Sequence, residues 1–403
     1  MMRDFELKNG IRAVYKNNAE TPRIALTLNM SINNAEKYAG TYSLMTRLLM
    51  QGTTRYNNEE LAKALDENGI ELIIDMKQDY LRFRLLCLNE DFKKAVEIVT
   101  DIINNSTFVE FDKEKTKMLG ELNAELDSAR LKISDAFVKT VYENHYYGHT
   151  YTNILKDLEH ITKDDVVNSY NNIIKTSRKV LSIVGSLDEN DVISLMEDSF
   201  NNLPNTNEIT KTYTKPELLE TKYAEVVKPD AQQAQILQGW IVPTYTEEDY
   251  PVIVVMNTIL GSSGLSSRLF RELREKKGLA YTVRSSCEIK EQSALFSIYI
   301  ATEPSNVETC LKGFKEEIDK LKTILVSEEE LKNAKNNISG KHQFIVETNF
   351  QQSTSMAFYG INGLPFNYYD SMQERIKNVT SEQIQECANK YFNEKSVIAI
   401  LHP

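Results

Sequence analysis

Few residues in this chain have the type and spacing that chemistry requires. It holds five histidines, His145, His149, His160, His342 and His402, and four cysteines, Cys87, Cys287, Cys310 and Cys387. The cysteines are far apart, with no C-x-x-C and no zinc-knuckle spacing, and are expected to be reduced and mostly buried. Only His145 and His149, in ENHYYGHTY, have the i, i+4 spacing of a helical metal pair. Tyr146, Tyr147 and Gly148 between them read as a helix end, and no acid lies there, so a structural role is expected. The acidic runs Asp164-Asp165 and Glu328-Glu329-Glu330 follow Thr162 and Ser327, where acids complement a helix dipole, and read as caps. The densest local signal is LGSSGLSSRLFRELREKKGLAYTV, Leu260 to Val283. Its loop of small residues, Gly261, Ser262, Ser263 and Gly264, lacks the Gly-Lys-Ser/Thr of a phosphate loop and is read as backbone clearance near a peptide.

These residues must be positioned by secondary structure, and the pattern of apolar residues predicts it. IALTLNMSI, 24–32, reads as a strand, followed by a helix over about 39–51 and a second helix ending at Gly69. ELIIDMKQ and YLRFRLLCLN read as a hairpin, then DFKKAVEIVTDIINN as a helix, and a long helix runs from Asp112 to about Tyr142. The half closes with the helix ITKDDVVNSYNNI and the strand KVLSIVGSL. The second half repeats this order: strand 234–242, apolar helix 250–260, strands YTVRSSCEI and ALFSIYIA, two helices, one long from Ser327, then VTSEQIQECANKYF and the strand SVIAIL. In the Leu260–Val283 segment Leu265, Leu269 and Leu273 repeat at spacings of four, and Gly278 ends the helix before a strand carrying Tyr281.

Corresponding features keep a nearly constant offset: 212 from Ile24 to Ile236, 215 from Asp112 to Ser327, and 218 from Thr162 to Thr380. The expected class is therefore α+β, two tandem homologous units, each a largely antiparallel sheet packed against several helices. The predicted units are 1–205 and 220–403, joined by a polar, proline-containing linker over about 201–222. Across 403 residues, 47 Lys and Arg face 58 Asp and Glu, a net charge of -11. That balance argues against nucleic acid or a membrane surface as partner. The N-terminal segment lacks an apolar signal-peptide core and no stretch approaches a membrane span, so the cytoplasm is the expected location.

The stretch Leu260–Val283 resembles the C-terminal repeat of the pitrilysin/insulinase zinc peptidase family, whose two-chain members include mitochondrial processing peptidase and its bacterial relatives. That resemblance implies an Arg and a Tyr seven positions apart that hold the substrate carbonyl and stabilise the oxyanion, a role that Arg274 and Tyr281 match. The competing reading makes Arg274 a solvated helix residue paired with Glu275 or a neighbour and Tyr281 a half-buried strand residue. The family also carries zinc on H-x-x-E-H in its N-terminal repeat, followed by a Glu about 75 residues on. The flanking Gly and Gly-Thr align with Gly40 and Gly52-Thr53, so Ser43, Thr46 and Arg47 stand where the first His, the Glu and the second His would be. Hydroxyls are poor zinc ligands and a guanidinium repels the metal. Glu121 lies 74 positions after Arg47 and Glu125 lies 78 after; either is a candidate remnant of the third ligand, and a charge pair with Arg47 is expected in place of the metal.

The resemblance thus implies a non-catalytic, substrate-binding subunit, inactive alone, that binds peptide and lends Arg274 and Tyr281 to a homologous H-x-x-E-H chain. No cofactor is expected in this chain, and zinc is expected in the partner. A homodimer, or an inactive peptide-binding scaffold with no peptidase partner, is the alternative.

Overall fold

The computed structural model describes residues 2–207 and 211–403; residues 208–210 of the predicted linker lie outside the described residues. Two compact units emerge, each built on one sheet. The first sheet comprises β1 (Met2–Glu6), β2 (Arg12–Asn17), β3 (Arg23–Ser31), β4 (Glu71–Met76), β5 (Tyr80–Leu88) and β6 (Lys179–Gly185), in the order β1-β2-β6-β3-β5-β4. The second comprises β7 (Lys222–Val227), β8 (Ala234–Val242), β9 (Ala280–Ile289), β10 (Ala294–Thr302) and β11 (Val397–His402), in the order β7-β11-β8-β10-β9. Each sheet is antiparallel except for one parallel pair, β2 with β6 and β7 with β11. The α+β class is as the sequence implied, and β4 and β9 occupy equivalent edges.

The units are not the contiguous halves 1–205 and 220–403. Unit 1 takes in residues 343–368, and unit 2 takes in residues 122–152. The reason lies in how each sheet covers its second face. In unit 1 the Asn349–Ile361 helix lies on β3 and β6, and Met356 and Ile361 join Val14, Val180, Val184 and Phe366 in a core cluster. In unit 2 the Ala129–Val141 helix lies on β7, β8 and β11, and its Phe137 meets Gly239, where an added Cβ would come within 2.6 Å of the ring. A sheet with two apolar faces needs helices on both, and each half supplies one to the other unit.

This exchange also breaks the two long helices expected from Asp112 and Ser327. The first divides into Phe111–Leu126 and Ala129–Val141, and the second into Glu328–Ile345 and Asn349–Ile361, restarted by a capping box of Thr348 with Gln351. Elsewhere the cap read at Thr162 forms as predicted, a capping box with Asp165, and Asn57 with Glu60 forms another; both satisfy orphan N–H groups reciprocally. The core of unit 2 centres on Trp240, Phe296 and Phe392, with Phe392 4.9 Å from each of the other two rings. Among the described residues no helix is long and apolar enough to cross a membrane.

Candidate functional site

The degenerate metal positions lie on the Thr41–Leu48 helix of unit 1, and its frame is built from backbone requirements. Gly40 opens the helix at φ 95°, and a Cβ there would sit 2.6 Å from Ile154 Cγ2. The Glu36 carboxylate accepts from the N–H groups of Gly40 and Tyr42, each at 2.9 Å, and so caps the helix start. Past the helix Gly52 has φ 136°, and a Cβ would approach Tyr56 O to 3.0 Å. The Thr53 hydroxyl donates to Asp101 at 2.6 Å and accepts the N–H groups of Arg55 and Tyr56. Gly40, Gly52 and Thr53 therefore serve the fold whether or not a metal is bound.

Inside that frame the ligands are gone. Thr46 is buried and its hydroxyl donates back to Tyr42 O at 2.8 Å, while Ser43 is half-buried on the same helix. Arg47 Nη2 donates to Glu121 Oε2 at 2.6 Å, so the charge pair suggested by the spacing is made. It holds the Glu121 carboxyl below its usual range. Glu125 belongs to unit 2 and faces Tyr151, whose phenol is pushed up by burial and then by that carboxylate. The donor set of two hydroxyls, one guanidinium and one carboxylate already paired with it does not fit zinc. Among the described residues no three His, Cys, Asp or Glu groups gather as a metal site.

The histidines have structural partners. His145 Nδ1 accepts the Tyr147 N–H at 3.0 Å and its Nε2 donates to Thr214 O at 2.8 Å. His149 packs edge-on against Tyr146 at 5.4 Å, on a 3₁₀ turn over Tyr146–Gly148. All four cysteines are free thiols.

The second locus is the Leu260–Val283 segment of unit 2. Two π-helical turns, Thr258–Ser262 and Phe270–Lys276, bracket a 3₁₀ turn over Gly264–Ser266. Such widened turns concentrate at functional sites. The spacing of four is only partly buried: Leu269 and Leu273 are in the core, but Leu265 is 73% exposed because the 3₁₀ turn rotates it outward. The small-residue loop also departs from expectation. Gly261 is buried against β9, where a Cβ would fall 2.3 Å from Ser285 N, so its bare face clears the chain's own strand. Ser262 and Ser263 are half-buried, and Gly264 stands exposed at φ 78°, which favours glycine. Glu330 does more than complement a helix start. It accepts two bonds from buried Arg268, at 2.9 and 2.6 Å, and anchors the segment.

That anchoring sets Arg274 and Tyr281. The Arg274 guanidinium lies between two rings, 4.6 Å from the centroid of Phe270 and 4.5 Å from that of Tyr281. It has no ion pair with Glu275 or with any other carboxylate among the described residues. Gly278, at φ 61°, turns the chain into β9 while Leu279 N–H bonds Leu273 O at 2.9 Å. In β9 the pairing with β10 slips: Thr302 faces Ala280 and Ala301 faces Thr282, leaving Tyr281 as the extra residue of a β-bulge. Bulges re-aim side chains, and Tyr281 is 79% exposed rather than half-buried. Sequence reasoning found both residues but not the bulge, which has no composition signal, nor Glu36 and Arg268, whose roles depend on contacts outside their own helix turn.

Comparison with known proteins bears on both loci. A family model described as Insulinase (Peptidase family M16) matches residues 12–157, and one described as Peptidase M16 inactive domain matches residues 160–338. The chain belongs to the insulinase family. As an insulinase-family member it lacks the catalytic motif, with Ser43, Thr46 and Arg47 in its place. It is 27% identical over 410 residues to an uncharacterized zinc protease of Rickettsia felis, covering 99% of this chain and 97% of that protein. It is 24% identical over 411 residues to an uncharacterized zinc protease of Bacillus subtilis, covering 100% and 98%. A protease from Helicobacter pylori superposes with a TM-score of 0.89 at 20% identity over 100% of both chains. A peptidase M16 inactive domain from Pseudomonas fluorescens gives 0.88, also at 20%, over 100% of this chain and 98% of that one.

Proposed function

We propose that this insulinase-family chain is the non-catalytic, substrate-binding subunit of a two-chain zinc peptidase acting on peptides. Its partner is a homologous chain that carries H-x-x-E-H. The observation that carries the reading is the contrast between the two loci: the metal positions hold Ser43, Thr46 and an Arg47–Glu121 pair, while half-buried Arg274 stands against exposed Tyr281 with no carboxylate paired to its guanidinium. A structural arginine on a helix is usually paired or fully solvated. Arg274 is instead held by stacking, with its N–H fork left for an acceptor.

In the complex an extended peptide adds to the free edge of β9, where backbone hydrogen bonds give affinity with little sequence preference. The carbonyl beside Tyr281 then accepts from the Arg274 guanidinium and the Tyr281 phenol. Both donors become stronger as that oxygen gains negative charge, which lowers the barrier to attack. Zinc in the partner supplies the activated water. Zinc is absent from this chain's own role, and the cytoplasm is its proposed location.

The test is a peptide cleavage assay on the reconstituted pair with Arg274→Ala or Tyr281→Phe. Loss of one such donor typically lowers kcat by about 10²- to 10³-fold. A fall of that order in kcat, with each variant folded and still bound to the partner, supports the assignment. Rates within about twofold of wild type, far below the usual effect of losing a donor, would leave the scaffold alternative standing.

A further inference from the structure

Two guanidinium groups converge in unit 2 at a place the oxyanion pair does not use. Tyr299 of β10 lies opposite Arg284 of β9 in register, which makes the two side chains cross-strand neighbours on one face. Arg130, in the first turn of the Ala129–Val141 helix, stacks on that tyrosine with its guanidinium carbon 3.3 Å from the ring centroid. The Tyr299 hydroxyl donates to Gln235 Oε1 at 3.1 Å, which fixes the ring. Two cations therefore flank one tyrosine.

Nothing in the unit neutralises them. Among the described residues neither Arg130 nor Arg284 has an ion pair, and Arg130 Nη1 is buried without a hydrogen-bond partner. Asp127 and Asp230 pair with Lys228 at 3.3 and 2.7 Å, and Glu288 pairs with Lys290. Burial weakens the hold of Arg130 on its proton; the Tyr299 hydroxyl opposes that effect and the Arg284 charge adds to it. The helix itself asks for the same sign of ligand. Ser128 at its N-cap makes no side-chain cap bond and its first turn holds no acid, although the dipole there favours negative charge. A half-buried guanidinium with a buried, unpartnered nitrogen is favoured by an anion that completes it. Arg284 is exposed on the edge strand, so that anion has a way in.

We propose that Arg130 and Arg284 form a carboxylate-binding subsite whose occupant is the C-terminal carboxylate of a peptide lying along β9. The planar forks of two arginines suit the two oxygens of a carboxylate. Arg284 lies three residues beyond Tyr281, roughly 10 Å along a strand, so the carboxylate sits about three residues from the carbonyl held by Arg274 and Tyr281. This inference rests on the peptide-binding reading and narrows its substrate class to peptides cut near a free C-terminus.

The test uses the whole chain. Thermal melts are recorded with N-acetylglycine and with N-acetylglycinamide, and anisotropy with an N-terminally labelled hexapeptide as free acid, as amide, and as an amide with an internal Glu. Wild type should melt higher with N-acetylglycine only, and should bind the free-acid hexapeptide at least about tenfold tighter than either amide, the range of one charged hydrogen bond. Arg284→Met, exposed and safe for folding, should abolish both preferences, as should Arg130→Met. Arg274→Ala should weaken acid and amide alike. Equal response to acid and amide, or a preference that survives Arg130→Met with Arg284→Met, overturns the subsite. Tight binding of the internal-Glu amide overturns the terminal occupant. An N-acetylglycine shift without hexapeptide binding would retain the carboxylate site and remove the peptide-binding reading.

Discussion

Replacing Ser43→His, Thr46→Glu and Arg47→His together should install a zinc site in this chain. Residues 43 and 47 share one face of the Thr41–Leu48 helix, as positions i and i+4 do. The frame that presents them is intact, because Gly40 and Gly52 are held for backbone reasons and Thr53 by its hydroxyl bond to Asp101. The third ligand is also in range, since Glu121 lies 2.6 Å from the end of the residue-47 side chain. Arginine spans by itself a gap that a shorter histidine would close with a metal, at about 2.0–2.1 Å to nitrogen and about 2.0–2.2 Å to oxygen. Losing the Arg47–Glu121 pair, whose side chains are 32% and 42% exposed, removes only about 0–1 kcal/mol. Zinc at about one hundred times its dissociation constant returns about 2.7 kcal/mol. The zinc-loaded variant should thus melt above the chelated one, which falls below wild type because Glu also replaces buried Thr46. The assay is metal content after desalting, together with melts in zinc and in EDTA. A folded triple variant that retains no stoichiometric zinc would refute the claim that only the ligands, and not the frame, were lost.

Gly261→Ala should destabilise the chain by about 1–3 kcal/mol in urea unfolding, because the new Cβ meets the β9 backbone at Ser285 N, 2.3 Å away, and the strand cannot yield as a side chain would. A neutral result would contradict the packing role given to that glycine. His342 is buried, which pushes its imidazole down to about 4 from the usual 6.5. The folded state therefore favours the neutral ring: this contribution to stability is present above about pH 6.5 and is lost as pH falls toward about 4. His342→Phe keeps a ring against Tyr369 and should flatten the stability profile over that window; an unchanged profile would remove His342 as its source.

Signals that act over a few residues were legible in the sequence. The cap at Thr162, the Gly69 and Gly278 turns, and strand 234–242 needed only local chemistry, and the structure has each of them. The Arg47–Glu121 pair was legible because flanking glycines fixed the register of a short helix against a glutamate 74 residues on. What sequence did not yield depends on tertiary contact. The exchange of residues 122–152 and 343–368 between units follows from each sheet needing a second helical layer, and its only trace is two helix breaks inside apolar-periodic runs. Edge strands β1 and β7 are short and largely exposed, so they carry little hydrophobic pattern. The bulge at Tyr281 arises from a one-residue mismatch between β9 and β10, which neither strand reveals alone. Arg130 and Arg284 stand 154 positions apart, and only the Ala129–Val141 helix lying in unit 2 brings them to one tyrosine.

The central claim, that this chain completes the active site of an H-x-x-E-H partner, is tested most directly by titration. Increasing amounts of this chain are added to a fixed concentration of the homologous zinc chain, and the rate of peptide cleavage is followed. The account predicts negligible cleavage by either chain alone and a rate that rises and saturates at one chain per partner. A zinc chain fully active by itself, with a rate that this chain does not change, would contradict it.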